Sequence, residues 1–346
     1  MLSKERLKDA GRDALDLGIE PENCVVVSTS GSTGTPMQIF LGPHEVNWQR
    51  AVAWRVLFEN GFRWRNRTLE IRKTIGPSFL VQRFGLAPKD WSEITEPPER
   101  WAELLAKRQH EVVVAGASTL VALAEAYQEQ NLPRAPRLIV SDAETLAPSA
   151  RNTIREGLGS DPVDVYGLVE LSNFAWQCPE RNTFHISADS HVVEVVESEE
   201  LPPKLGRVIA TDLGMWTMPI IRYDTGDLAE RGDGSCPCRR TLPTLSRVIG
   251  RAVDSVKLPS GRRLPWPFFH EVLGGFTKLK RWRIHQSRRD AIRIELVVDD
   301  QETMLFEEIH AVLRDQMPET LHIELVRRGK ISDPLPDKTR MIVSDC

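Results

Sequence analysis

The feature that most constrains this chain is a regular alternation between residues 111 and 165. Short apolar runs at 111–115, 137–140 and 162–165 predict strands, and the segments 119–130 and 148–158 between them predict helices of ten to twelve residues. Such spacing indicates βαβ units and a parallel sheet covered on both faces, with ligands expected at the carboxyl ends of the strands. After residue 190 the pattern changes to short strands separated by turns, at 191–196, 206–210 and 219–222. Past Gly250 a second composition begins, with strands at 281–286, 291–298 and 321–327 and a helix at 301–315. The expected fold is therefore α/β. A large N-terminal domain over residues 1–250 combines parallel-sheet βαβ units with a β-rich subregion, and a small α+β C-terminal domain covers residues 251–346. A chain of 346 residues that is 41% hydrophobic can bury two cores of unequal size, in keeping with this division.

Ahead of the alternation, residues 3–17 place Leu7, Ala10, Ala14 and Leu17 near helical spacing and predict a short amphipathic helix. Apolar runs at 24–27 and 37–41 flank a Ser/Thr/Gly-rich stretch and predict strand, loop, strand, followed by a helix over 44–59.

Charge and composition exclude some functions. A net charge of -4 supplies no basic field, so nucleic acid is not an expected partner. The charged N-terminus MLSKERLKDAGRDALDLG has no apolar core of signal-peptide type. No window approaches the roughly 20 apolar residues that span a bilayer, so the expectation is a cytoplasmic protein without a membrane partner. Five cysteines in a chain this long do not make a disulfide framework.

Three motifs carry chemistry. The loop Ser28-Thr29-Ser30-Gly31-Ser32-Thr33-Gly34-Thr35-Pro36 offers close backbone approach, hydroxyls and N–H donors to an anion. It is not a Walker A loop, because no Gly-Lys-Ser/Thr follows. Asp164-Val165-Tyr166-Gly167-Leu168-Val169-Glu170 is expected just after the last strand of the alternation, where Tyr166 can stack on a flat base and Glu170 can hold magnesium through hard oxygens. In Arg222-Tyr223-Asp224-Thr225-Gly226-Asp227, a carboxylate after a tight turn can accept bonds from two ribose hydroxyls, although such turns are commonly only turns. Trp48, Trp54, Phe79 and Trp176 suit either an aryl pocket or the core.

Cys178 and His185, in QCPERNTFHI, together with Cys236 and Cys238 form a separate constellation: three thiolates and one imidazole that suit a tetrahedral Cys3His zinc site. With four protein ligands such a site is structural and leaves no position for a reactive water, which argues against a zinc hydrolase. Cys24 and Cys346 have no evident partners.

In order and spacing, the STSGSTGTP loop, YGLVE, RYDTGD and Gly250-Arg251 resemble the adenylate-forming enzymes of the acyl-CoA synthetase superfamily. Met218-Pro219-Ile220-Ile221-Arg222-Tyr223 and Ser235-Cys236-Pro237-Cys238 resemble its phenylacetate–CoA ligase branch. The resemblance runs from about Leu2 to Val343 and implies an ATP-dependent ligase that makes an acyl-adenylate. Position by position it implies that Thr29, Ser30, Gly31, Ser32, Thr33, Gly34 and Thr35 wrap the β- and γ-phosphates. Ala143 and Glu144 would border the adenine, and Asp164, Tyr166 and Gly167 would complete its site with Tyr166 stacked on the ring. Glu170 would hold magnesium, Asp227 the ribose, and Arg251 would stand at the domain junction. Lys338, in the final loop SDPLPDKTR, would bridge the substrate carboxylate and the α-phosphate. A small mobile lid then rotates and admits a thiol, usually coenzyme A.

Several positions depart from the family pattern. The branch usually has a further segment before the region equivalent to LSKERLK, so the resemblance implies an acyl pocket altered along one wall. The usual Gly-Arg-x-Asp hinge reads Gly250-Arg251-Ala252-Val253-Asp254, Val169 replaces the usual threonine of YGxTE, and residues 73–97 are compressed. Transfer to coenzyme A, to a carrier protein or to an amine shares these motifs, as does a nucleotide-binding homologue without turnover. Retention of Lys338, Glu170 and Asp227 favours turnover. The expected partners are a small carboxylic acid and coenzyme A or a carrier protein, and a homodimer is compatible with the sequence.

Overall fold

The computed structural model describes residues 1–16, 18–29, 36–73, 82, 84–132, 136–180, 183–252, 254–276, 278–298, 303–317, 321–329, 331 and 341–346. The chain divides into two compact units: Met1–Val193 with Ala210–Tyr223 and Gly232–Ser246, and Glu194–Ile209 with Asp224–Arg231 and Arg247–Cys346.

The first unit opens with helix α1 (Lys4–Ala10), whose N-terminus is capped by the Ser3 side chain accepting from the Arg6 N–H. The apolar spacing predicts a helix to residue 17, but Gly11 turns to φ +49 and a short 3-10 turn follows. Periodicity continues past a residue whose backbone has already left the helix. Strands β1 (Val25–Ser28) and β2 (Gln38–Leu41) pair antiparallel on either side of the Ser/Thr/Gly loop, as expected. Helix α2 (Pro43–Glu59) follows, with proline in its first turn.

The parallel sheet is built from β3 (Thr68–Arg72), β4 (Lys89–Glu93), β5 (Val112–Ala115), β6 (Leu138–Ser141) and β7 (Val163–Leu168), in the order β7-β6-β5-β3-β4. Helices α3 (Pro98–Lys107), α4 (Ala117–Glu129) and α5 (Pro148–Leu158) connect its later strands. Alternate residues of each strand face opposite ways, and in the central strands β5 and β6 both sets are buried. Val113, Ala115 and Ile139 pack with Leu120, Leu123 and Ile154 of the connecting helices, while Val112, Val114, Leu138 and Val140 pack with Val56 of α2 and Trp176. Each fully buried aliphatic side chain contributes about 1.5–3 kcal/mol relative to exposure. The sheet turns antiparallel at β8 (Ser172–Gln177) and continues to β9 (Phe184–Ile186), which pairs with Thr244 and Leu245. Strand β7 runs through Tyr166 and Gly167 rather than ending before them, with a register shift between those two residues.

Strands β10 (His191–Glu197), β11 (Leu205–Asp212), β12 (Tyr223–Arg231) and β13 (Thr244–Arg251) follow in that hydrogen-bonded order and each has residues in both units. The expected strand at 219–222 is absent: Arg222 takes φ +47, and extension resumes only at Tyr223. A left-handed residue reverses the chain, so an apolar run alone did not make a strand.

The rest of the second unit has the small hairpin β14 (Ser255–Lys257) and β15 (Arg263–Pro265), helix α6 (Trp266–Leu273), β16 (Leu279–Arg288), β17 (Ala291–Val298), helix α7 (Thr303–Gln316), β18 (His322–Arg327) and β19 (Ile342–Ser344). Its four-stranded sheet has the order β18-β17-β16-β19. Ile284, Ile292, Ile294 and Leu296 form one core with Phe269 and Leu273 of α6 and Ile309 and Leu313 of α7. This is the expected small α+β domain.

Candidate active site and Cys/His cluster

The carboxyl ends of the parallel strands gather the first group of predicted residues. Ser141 and Asp164 are register partners on β6 and β7, so Asp142-Ala143-Glu144, which follows β6, starts beside the part of β7 that leads into Tyr166-Gly167. Ala143 adopts φ +63, and the Glu144 carboxylate accepts from the Ser118 N–H at 2.8 Å and from its hydroxyl at 2.9 Å. Glu144 thus caps the start of α4, supplying the acceptor that Gly116 cannot. Asp142 accepts two bonds from Arg72 at 2.5 and 2.6 Å. Arg72 also meets Glu70 at 3.0 Å, and Glu70 meets Lys89 at 2.5 Å. Burial works against ionised Glu70, yet Arg72 and Lys89 hold its carboxyl below the usual range.

Asp164 is the one charge here without full compensation. Burial pushes its carboxyl up to about 7; the Arg151 charge opposes this and Asp142 adds to it. The Arg151 guanidinium is committed to Asp161, the Pro162 carbonyl and the Gln177 side chain.

Beyond Asp164 the Tyr166 ring is buried with its centroid 4.6 Å from that of Phe174. Gly167 has to be glycine: a Cβ would lie 2.4 Å from Asn173 Oδ1 and 2.7 Å from the Ser172 carbonyl. In the following turn Val169 is 45% exposed, whereas Glu170 is 4% exposed. The Tyr223 hydroxyl donates to Glu170 Oε1 at 2.7 Å, joining YGLVE to RYDTGD. Among the described residues this is the hydrogen bond that Glu170 makes.

At the mouth of the Ser/Thr/Gly loop, Thr29 N donates to the Met37 carbonyl at 3.0 Å and the Thr29 hydroxyl accepts from Met37 N at 3.1 Å. Ser30, Gly31, Ser32, Thr33, Gly34 and Thr35 lie outside the described residues, as do Lys338, Val253 and Phe79. In the second unit, Asp227 Oδ1 lies 3.4 Å from Arg251 Nε, and its backbone N–H donates to the Thr225 hydroxyl at 3.1 Å.

The Cys/His constellation is brought together in full. The Sγ atoms of Cys178, Cys236 and Cys238 and a ring nitrogen of His185 lie within 4.8 Å of one another. Cys178 directly follows β8 and His185 is the middle residue of β9, and Cys236 and Cys238 come from the loop before β13. Tetrahedral zinc with Zn–S bonds of about 2.3 Å requires S···S edges of about 3.8 Å. Cys236 and Cys178 are 3.6 Å apart, and Cys238 Sγ is 3.3 Å from His185 Nε2. These separations fit metal ligation and exceed the roughly 2.05 Å of a disulfide. Burial pushes the Cys178 thiol up to about 12. At Cys238 burial also opposes ionisation, but the Arg240 N–H and side chain bring the thiol down to about 7. Burial and the Arg240 charge lower the His185 pKa, favouring the neutral ring that a metal takes. Arg240 bonds Glu59 Oε2 at 2.7 Å and stands 5.1 Å from the Trp176 ring centroid. Trp176 is itself fully buried, with its ring centroid 5.0 Å from that of His185. It therefore belongs to the core, as does Phe62, on which the half-buried Trp54 packs edge-on.

The Tyr223–Glu170 bond, Arg72 and Arg240 were not anticipated. Each acts through a partner far away in the sequence.

The fold is that of the adenylate-forming CoA ligases. A 2-hydroxyisobutyryl-CoA ligase in complex with R3-HIB-AMP superimposes with a TM-score of 0.78 at 18% identity, covering 100% of this chain and 79% of that one. An anthranilate CoA ligase in complex with anthranoyl-AMP superimposes with a TM-score of 0.66 at 15% identity, over 93% and 65% of the two chains. In sequence the chain is phenylacetate–CoA ligase-like. It is 28% identical over 250 residues to the phenylacetate-coenzyme A ligase of Thermus thermophilus, covering 69% of this chain and 56% of that protein. It is 23% identical over 279 residues to the Pseudomonas putida ligase of the same name, covering 75% and 62%. The chain thus spans less than two thirds of the length of these relatives. No protein-family model matches it. Among the described residues, no helix is long and apolar enough to cross a membrane.

Proposed function

We propose that this protein activates a carboxylic acid with ATP, releasing pyrophosphate and forming an acyl-adenylate, and then passes the acyl group to the thiol of coenzyme A in the cytoplasm. The observation that carries the reading is the register of Ser141 with Asp164, because it sets the segment after β6 beside the motif carried on β7, at the carboxyl end of β6 where ligands of such sheets bind. The similarity to phenylacetate-coenzyme A ligases over 250 residues supports the same chemistry.

In the first step a carboxylate oxygen attacks the α-phosphorus and pyrophosphate leaves. In the second the thiol sulfur attacks the acyl carbonyl and AMP leaves. The first step brings two anions together, so positioning and cationic stabilisation supply the catalysis. Glu170 would hold magnesium, which neutralises phosphate charge when bound. Thr29 and the residues 30–35 would take the β- and γ-phosphates, Ala143, Glu144, Asp164, Tyr166 and Gly167 the adenine, and Asp227 the ribose. Lys338 would bridge the attacking carboxylate and the α-phosphate. Residues 1–250 would form the adenylating part and 251–346, from Arg251 onward, the lid. Zinc held by Cys178, His185, Cys236 and Cys238 would be structural, since the protein fills all four tetrahedral positions.

The test is ATP–pyrophosphate exchange over a panel of aryl, arylacetic, fatty and amino acids, followed by AMP release with coenzyme A. Exchange with one class, and a loss of at least about 100-fold in Lys338→Ala with ATP binding retained, is the expected result. Exchange unaffected by Lys338→Ala would remove that lysine from the mechanism, and ATP binding without exchange on any acid would overturn the adenylation reading.

A further inference from the structure

We infer that Tyr223 is the positioning residue for the Glu170 carboxylate, fixing one of its oxygens so that the other is presented to a divalent cation; the identity of that cation as the magnesium of an adenylation site rests on the function proposed above. Glu170 is 4% exposed and so must be compensated by a partner. Among the described residues, the partner it has is a hydroxyl at 2.7 Å. An arginine or lysine there would form an ion pair and compete with a metal for the same charge. A phenol donates one proton to one oxygen and brings no positive charge of its own.

The hydroxyl is also rigidly held. Tyr223 is 0% exposed, and its backbone is bridged to Leu2 while the Leu2 N–H donates to the Arg222 carbonyl at 3.1 Å. On the other side, Glu170 occupies a two-strand turn whose far arm begins at Ser172, a residue with φ +55, and whose near arm requires Gly167. Both ends of the hydrogen bond are therefore fixed by backbone geometry, and free rotation of the carboxylate is removed before any ligand arrives.

Tyr223→Phe keeps the buried ring and removes the donor. The expected result is a rise of about 10-fold in the Mg2+ concentration that half-saturates pyrophosphate exchange, with a smaller change in maximal rate. Mn2+ titration in the presence of ATP, read by electron paramagnetic resonance, should show the same weakening. Glu170→Gln should weaken Mn2+ binding too, and adding Tyr223→Phe to it should produce no further loss, because the hydroxyl acts only through the carboxylate. A lowered melting temperature with unmoved metal dependence would make Tyr223 merely structural and overturn the inference, as would additive effects in the double variant. Failure of the wild-type protein to exchange with any acid while Tyr223→Phe still weakens Mn2+ binding would sink the adenylation reading and leave the positioning role standing. No Mn2+ uptake by wild-type protein with ATP would overturn both.

Discussion

Two clusters at opposite ends of the six-residue strand β8 handle their polar atoms in contrary ways. Beyond its end, Cys178 meets Cys236, Cys238 and His185, and the donors converge on one another within 4.8 Å. Before its start, Glu170 has a hydroxyl, and at the neighbouring strand ends Asp142 has Arg72 and Glu144 has the N-terminus of α4. The first arrangement is unfavourable for the bare protein, since thiols gain little from each other and burial opposes their ionisation. The second is compensated residue by residue. Convergence of like donors is the arrangement that a cation would stabilise, whereas groups compensated one by one need no ion to be stable.

The largest test of this contrast is Cys178→Ser. If zinc occupies the cluster, the variant should lose the metal and on the order of 3–5 kcal/mol of stability, because metal binding is coupled to folding. Zinc per chain by mass spectrometry and urea unfolding check it. A stable wild-type protein that carries no zinc would break the comparison, because converging thiols would then need no cation.

Asp164→Asn probes the exception on the other side. Burial raises the Asp164 pKa from 3.8 to about 7, so the folded chain accepts the neutral acid and disfavours the carboxylate. The stabilising contribution of the neutral form is complete below about pH 4 and is lost as pH rises through about 7. At pH 8 the substitution should therefore stabilise the protein by about 2–4 kcal/mol, and at pH 4 it should gain little. Urea unfolding at the two pH values measures it. Equal effects at both would show that Asp164 is compensated like its neighbours.

Much of this architecture is legible in the sequence, and the gaps have physical causes. Strands β5 and β6 announce themselves because they are buried on both faces and hence read as apolar runs. Strands β3 and β4 lie in the same sheet but were not anticipated. Their sequences, TLEIR and KDWSE, carry charges that pair with one another, Glu70 with Arg72 and Lys89, and so hide the apolar run. Helix α1 looks longer in the sequence than it is because Gly11 stops it without interrupting the apolar spacing. The four members of the Cys/His cluster could be named because soft donors are few in this chain and stand out by type. The Tyr223–Glu170 pair could not, since its partners are separated by 53 positions and meet only in the fold.

The smallest expected effect sharpens the same contrast. Glu144 accepts two bonds from Ser118 at the start of α4, and this local role should account for about 1 kcal/mol of stability. Glu144→Ala should lose that amount, and Ser118→Ala less, since the backbone N–H of residue 118 still donates. If Glu144 also borders the adenine, the alanine variant will weaken ATP binding while Ser118→Ala, which leaves the carboxylate in place, will not. Calorimetric ATP titration of the two variants separates a carboxylate that only caps a helix from one that the cap holds in position for a ligand. Equal weakening in both would mean that the cap sets the geometry of the strand ends as a unit, and that compensation there is collective rather than residue by residue.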